Sequence, residues 1–142
     1  MEDDTMNEQL SKSEALAFLN TMYRDVVIGM DDTCIDQYFA ADYVQVTDGV
    51  RSNLDEFKHH VRMLRKEVQS IAISPFTHYT YDEAIQTATL RYIVDVEKKS
   101  GKRGQVELIA IFELQGEQVL RCHELSSPLD QGDDFHDIAS LS

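Results

Sequence analysis

Only two cysteines, Cys34 and Cys122, occur in the chain, far apart and without a C-x-x-C spacing or a nearby pair of histidines. That excludes a disulfide framework and supplies no zinc-ligand set, so a reducing, cytoplasmic compartment is expected. Basic residues are scarce as well: 13 Lys and Arg stand against 26 Asp and Glu, a formal net charge of −13. Such a surface repels nucleic-acid phosphates and anionic membranes, and neither is an expected partner. No apolar run approaches the roughly 18 residues of a membrane-spanning helix. The starting MEDDTMNEQ also lacks the basic and apolar stretches of a secretory signal. The motifs G-x-G-x-x-G, the P-loop, G-x-S-x-G and H-E-x-x-H are absent, which leaves nucleotide binding, a serine triad and a metalloprotease centre unsupported. No metal and no cofactor is expected.

What is present suffices for one domain. The 142 residues, 42% of them hydrophobic, can bury about two thirds of the unfolded surface. Ser11 and Glu14 form a capping-box pattern, and Leu16, Leu19, Tyr23, Val26 or Val27, and Met30 follow at helical spacing, predicting a long helix that ends near Gly29. Asp31 and Asp32 cap a short second helix with Ile35, Tyr38 and Phe39 on one edge. The strand YFAADYVQVTDG follows, then Asn53 and Glu56 repeat the capping box before a third helix striped by Leu54, Phe57, Val61, Leu64 and Val68. From about Ser70 the period changes to two. Strands are predicted over 70–81, 85–97, 105–114 and 119–126, with turn-like separators that favour an antiparallel meander. The expected fold class is α+β, with the helices covering one face of a curled sheet. The domain is expected to span 11–129, between a disordered N-terminus, 1–10, and an acidic tail, 130–142, in which Phe135 and Ile138 are spaced for one helical turn.

Alternation sorts the strand faces. Val106, Leu108, Ala110, Phe112 and Leu114 form an apolar face, as do Ala88, Leu90, Tyr92, Val94 and Val96; Leu120, Cys122 and Glu124 share a third. On the first strand Val44, Val46 and Asp48 are expected to face one way, opposite Tyr43, Gln45 and Thr47. The outer faces retain Ile93, Ile109, Ile111, Val119 and Leu125, more apolar area than a solvated sheet carries, which predicts a homodimer through that face.

The order of helix, short helix, strand with DYVQVTDG, helix and meander resembles the nuclear transport factor 2-like superfamily, in its SnoaL-like branch, over nearly the whole chain. The closing RCHELSSPL is similar to the last strand of bacterial members. The resemblance implies a cone-like curved antiparallel sheet wrapped around the N-terminal helices, with a pocket at the wide end. It does not imply one reaction, because the fold hosts isomerases, dehydratases, cyclases and binding modules. In the ketosteroid-isomerase-like branch an Asp ending the first strand moves the proton, and Asp48 lies near that place. Tyr23 answers the helix tyrosine of that branch, while Ala110 stands near its second acid. Val46 stands where SnoaL-type cyclases often carry a histidine.

The candidates each have a structural alternative. Asp48 in a dry pocket would be a general base or acid; equally, it would bond the Gly49 turn. Glu124 is its partner carboxylate or a buried acid paired with Arg91 or a lysine. His60, on the flank of the third helix's stripe, faces the pocket or completes the core edge. Tyr23, Tyr38, Val46, Tyr92, Ala110, Phe112 and Cys122 are the candidate ligand-contacting residues. The expected function is binding of a small, mostly apolar carbonyl compound, with cofactor-independent isomerisation, dehydration or cyclisation, or else a non-catalytic ligand-binding or protein-interaction module.

Overall fold

The computed structural model describes residues 8–129, so the acidic tail with its expected turn at Phe135 and Ile138, and most of the N-terminus, lie outside the described residues. Helix α1 (Lys12–Met22) starts at the Ser11–Glu14 capping box and buries Ala15, Phe18, Leu19 and Met22. The expected continuation to Gly29 is a π-helical segment, Tyr23–Ile28, whose wider turn is closed by the Gly29 N–H donating to the Arg24 carbonyl at 3.0 Å. A Cβ at Gly29 would stand 2.7 Å from the Asp25 carbonyl oxygen, so only glycine admits this close approach. The widened turn keeps both Tyr23 and Val26 in the core. After a 3₁₀ turn at Asp32–Cys34 come α2 (Ile35–Tyr38), β1 (Phe39–Thr47), β2 (Val50–Asn53) and α3 (Leu54–Glu67), the last opened by the Asn53–Glu56 capping box. Arg62 and Arg65 both reach Asp32, at 3.1 and 2.7 Å, and tie α3 to the 3₁₀ turn.

The remaining strands are β3 (Val68–Ile73), β4 (His78–Asp82), β5 (Thr87–Lys98), β6 (Arg103–Leu114) and β7 (Val119–Pro128). They join one curved mixed sheet in the order β2-β1-β7-β6-β5-β3, with β4 also on β5. The α+β architecture is the expected one. Among the described residues its one parallel pairing, β1 with β7, joins the N-terminal strands to the C-terminal one.

Three local differences from the sequence reading have physical causes. The segment expected as one strand over 70–81 is two, because Pro75 lacks a ladder N–H; β3 and β4 pair in succession along the same edge of β5. Val119, expected outside, is wholly buried, since a register shift between Glu113 and Leu114 turns it inward. Third, the faces of β1 are reversed: Tyr43, Gln45 and Thr47 are buried, while Val44 and Val46 are half-buried on the outer side. The inward faces of β5 and β6 are as expected, from Ala88 to Val96 and from Val106 to Leu114.

Candidate functional site

A cavity of ≈ 90 Å³ lies between the π-helical segment, α3 and the inner face of the sheet. Most of its wall is apolar, from residues such as Met22, Val27, Leu64, Val94 and Leu108. Polar groups enter from the π-helical segment with β5, from α3, from β7, and from β1 through Tyr43 and Gln45. The Tyr23 and Tyr92 hydroxyls meet at 2.7 Å, both residues buried, with Phe76 and Phe112 edge-on to Tyr23. His60 projects from α3, stacked beside Phe57, and Glu124 enters from β7. None of the lining residues is lysine or arginine.

The Glu124 carboxyl has defined partners. Cys122 precedes it by two residues on the same face, and the Cys122 thiol lies 3.9 Å from Oε2. From β1, whose Thr47 is in parallel register with Glu124, the Thr47 hydroxyl donates to Oε1 at 3.1 Å. Burial pushes the Glu124 carboxyl from its ordinary value up to about 7; the charge of Asp48 adds to this, and the Thr47 and Cys122 bonds oppose it. Glu124 is therefore poised to hold or release a proton near neutrality. His60 shifts the other way. Burial, with the neighbouring His59, lowers it to about 4, so the imidazole is neutral, and its Nδ1 is sealed without a partner among the described residues. Burial also holds the Tyr23, Tyr43 and Tyr92 hydroxyls and the Cys122 thiol protonated, each pushed well above its usual range.

Of the residues singled out in the sequence, Glu124, His60, Tyr23, Tyr92, Phe112 and Cys122 line this cavity. Asp48, Tyr38, Val46 and Ala110 do not. Asp48 sits in the β1–β2 turn at φ 51, followed by Gly49 at φ 84. Its carboxylate is held by Ser126, through the backbone N–H at 2.8 Å and a short bond from the hydroxyl. Its own N–H donates to the Glu124 carbonyl at 3.0 Å, so the turn clamps β7 at the level of Glu124. Replacing Asp48 with Ala is expected to cost about 1–3 kcal/mol, read as a lower urea midpoint, because Ser126 loses its charged acceptor. An unchanged midpoint would mean the clamp adds nothing to stability. Tyr38 donates instead to Asp25 outside the cavity, Val46 lies on the outer face, and Ala110 is wholly buried in the sheet. Arg91, offered as a mate for Glu124, pairs with Glu107 at 2.7 Å.

Gln45 lines the cavity and was not anticipated, and Tyr43, a tyrosine suited to lining an apolar cavity, joins it from the face of β1 expected to point the other way. One signal pointed to them. Asp-Gly between Thr47 and Val50 is a strong two-residue hairpin sequence, which puts Asp48 in the turn and frees the strand's phase to be set by Tyr43. Among the described residues no three His, Cys, Asp or Glu side chains are grouped to hold a metal ion, and no helix is long and apolar enough to cross a membrane.

No protein-family model matches the chain, and no curated protein matches it. Solved structures do. AusH from Aspergillus nidulans superposes with a TM-score of 0.74 at 11% identity, over 86% of this chain and 89% of that one. The BvnE pinacolase from Penicillium brevicompactum gives 0.70 at 10% identity, over 82% and 89%. A conserved protein from Planctomyces limnophilus gives 0.66 at 20% identity, over 81% and 95%. At such identities the likeness is one of fold. The chain has the nuclear transport factor 2-like fold.

Proposed function

We propose that this chain binds a small, uncharged, mostly apolar carbonyl compound and moves a proton on it without a cofactor, as an isomerase, dehydratase or cyclase does. The observation that carries this reading is Glu124, a carboxyl pushed up to about 7 inside an apolar cavity. A general acid or base is most effective with a pKa near the working pH. A binding module has no need of such tuning, and its carboxylates would titrate near ordinary values. Glu124 takes the proton-moving role because its carboxyl lines the cavity, whereas that of Asp48 is spent on Ser126. Two tyrosine hydroxyls that share one bond leave one O–H to spend, and this donor suits a carbonyl oxygen. His60, neutral and with Nδ1 unpaired, would accept a hydrogen bond from the ligand.

The lack of a cationic lining residue disfavours carboxylates and phosphates as ligands. At ≈ 90 Å³ the cavity is smaller than the roughly 300–1,000 Å³ of drug-sized sites, so a compact ligand is favoured. The test is hydrogen–deuterium exchange at the carbon beside the carbonyl, followed by NMR in D₂O over a panel of small cyclic and branched ketones. Acceleration by the wild type that Glu124→Gln removes is expected. No acceleration would favour the non-catalytic binding module, and an equal acceleration in the variant would take the proton-moving role away from Glu124.

The half-buried and exposed outer face supports pairing with a second copy. Ile109 and Leu125 are register neighbours on it, with Ile111 beside them, all substantially exposed. The ion pairs Arg91–Glu107 and Arg121–Glu113 flank them and offer both signs of charge to a two-fold mate. Sedimentation at micromolar concentration should give twice the 16.3 kDa chain mass. A single-chain mass would count against the dimer. Two unbridged thiols, Cys34 and Cys122, fit the reducing conditions of a cytoplasm.

A further inference from the structure

We infer that Thr47, directed by Gln45 and Tyr43, is a positioning residue that occupies Oε1 of Glu124 and leaves Oε2 as the oxygen that carries the transferred proton. The inference rests on Glu124 as the acid–base group, and adds which oxygen works and what fixes it.

The three residues alternate along one face of β1 and are all buried, at 2%, 6% and 1% exposure for Tyr43, Gln45 and Thr47. Each bond sets the direction of the next. The Tyr43 hydroxyl donates to Gln45 Oε1 at 2.8 Å, which turns the amide nitrogen toward Thr47. Gln45 Nε2 then donates to Thr47 Oγ1, at a longer 3.4 Å. An amide nitrogen has hydrogens to give and no lone pair to accept with, so the Thr47 hydroxyl spends its own hydrogen on Glu124 Oε1. Oε1 is thereby the accepting oxygen in both protonation states. A proton arriving at Glu124 goes to Oε2, whose hydrogen-bond partner among the described residues is the weak thiol donor of Cys122. The parallel register that sets Thr47 beside Glu124 and Gln45 beside Cys122 holds the whole row in phase with β7.

Other titratable groups act on Glu124 and are constant in the test. Asp48 bears on it from the β1–β2 turn, Cys122 from its own strand, and the hydroxyls of Tyr23, Tyr43 and Tyr92 from the π-helical segment, β1 and β5. His60 lines the same cavity from α3. The Thr47 bond favours the charged carboxylate, so its loss must raise the midpoint of Glu124.

The experiment is a pH titration of ¹³C-glutamate-labelled protein by NMR, with the Glu124 signal assigned by its disappearance in Glu124→Gln. It needs no substrate, so it stands or falls separately from the proposed reaction. Thr47→Val, which keeps the shape and removes the hydroxyl, is expected to raise the midpoint by about one pH unit. Thr47→Ser restores the wild-type value. Gln45→Met, which frees the Thr47 hydroxyl to rotate, raises it by a smaller amount. Were the amide turned the other way, Thr47 would donate to Gln45 and not to Glu124, and Thr47→Val would leave the midpoint in place. An unchanged midpoint in Thr47→Val overturns the inference. Should that variant fail to give a folded spectrum, Gln45→Met decides in the same way: a rise supports it and no change overturns it.

Discussion

Glu124→Gln lowers proton exchange or turnover by about 100-fold or more, the usual contribution of a positioned general acid or base. The amide is isosteric with the protonated carboxyl, so the fold and the Thr47 bond to the side-chain oxygen persist while the transferable proton is gone. The pH profile carries the same information. With Glu124 at about 7, base-catalysed exchange by the wild type rises through neutrality as the carboxylate forms, and this inflection disappears in the variant. Glu124→Asp keeps the acid but withdraws it by one methylene, and a displacement near 1 Å is enough to cost up to about 100-fold. A rate preserved in Glu124→Gln would move the chemistry to another group.

The second large effect concerns stability. Glu124 is raised from its ordinary value to about 7 and His60 is lowered from 6.5 to about 4, displacements of similar size and opposite sense. For Glu124 the folded state binds the proton more tightly than the unfolded one. Its contribution is fully present below about 4.5 and is lost as pH rises to about 7. For His60 the unfolded state binds the proton more tightly. The neutral histidine is tolerated in full above 6.5, and stability is lost as pH falls toward about 4. Each amounts to about 3 kcal/mol over its window, and between about 4.5 and 6.5 they offset one another. The wild type is thus expected to show little pH dependence from this pair there. Removing either partner uncovers the other. Glu124→Gln should gain stability as pH rises from 4 to 6.5, and His60→Phe should lose it as pH rises from 4.5 to 7, in urea melts taken at half-unit steps. Equal slopes in both variants would contradict the assignment of one raised and one lowered group.

The fold was largely legible from the chain. Both capping boxes, Ser11–Glu14 and Asn53–Glu56, open helices where the spacing placed them, and the alternation along β5 and β6 identified the inward face of each. These signals are local and strong. The site was legible in part. Glu124 and Cys122 were read on an inward stripe because β7 alternates cleanly beyond Leu120. The phase of β1 was misread for a physical reason: its valines suggested an apolar core face, but the buried side is a polar row, Gln45 and Thr47, held by hydrogen bonds that run toward β7. That row becomes apparent only once the parallel register with β7 is known, and a long-range parallel pairing leaves no short-range mark in sequence. Asp48 illustrates the same point. Its αL conformation and its bonds to Ser126 make it part of a turn and a clamp, and it reaches Glu124 through charge and a backbone bond without entering the cavity.

One carboxyl holding a proton near neutrality in an apolar cavity underlies the proposed chemistry. Direct titration of Glu124 in the wild-type protein, by its labelled carboxyl carbon, measures that property alone. The expected midpoint is about 7; a midpoint at the ordinary glutamate value, about 4.3, would contradict the account.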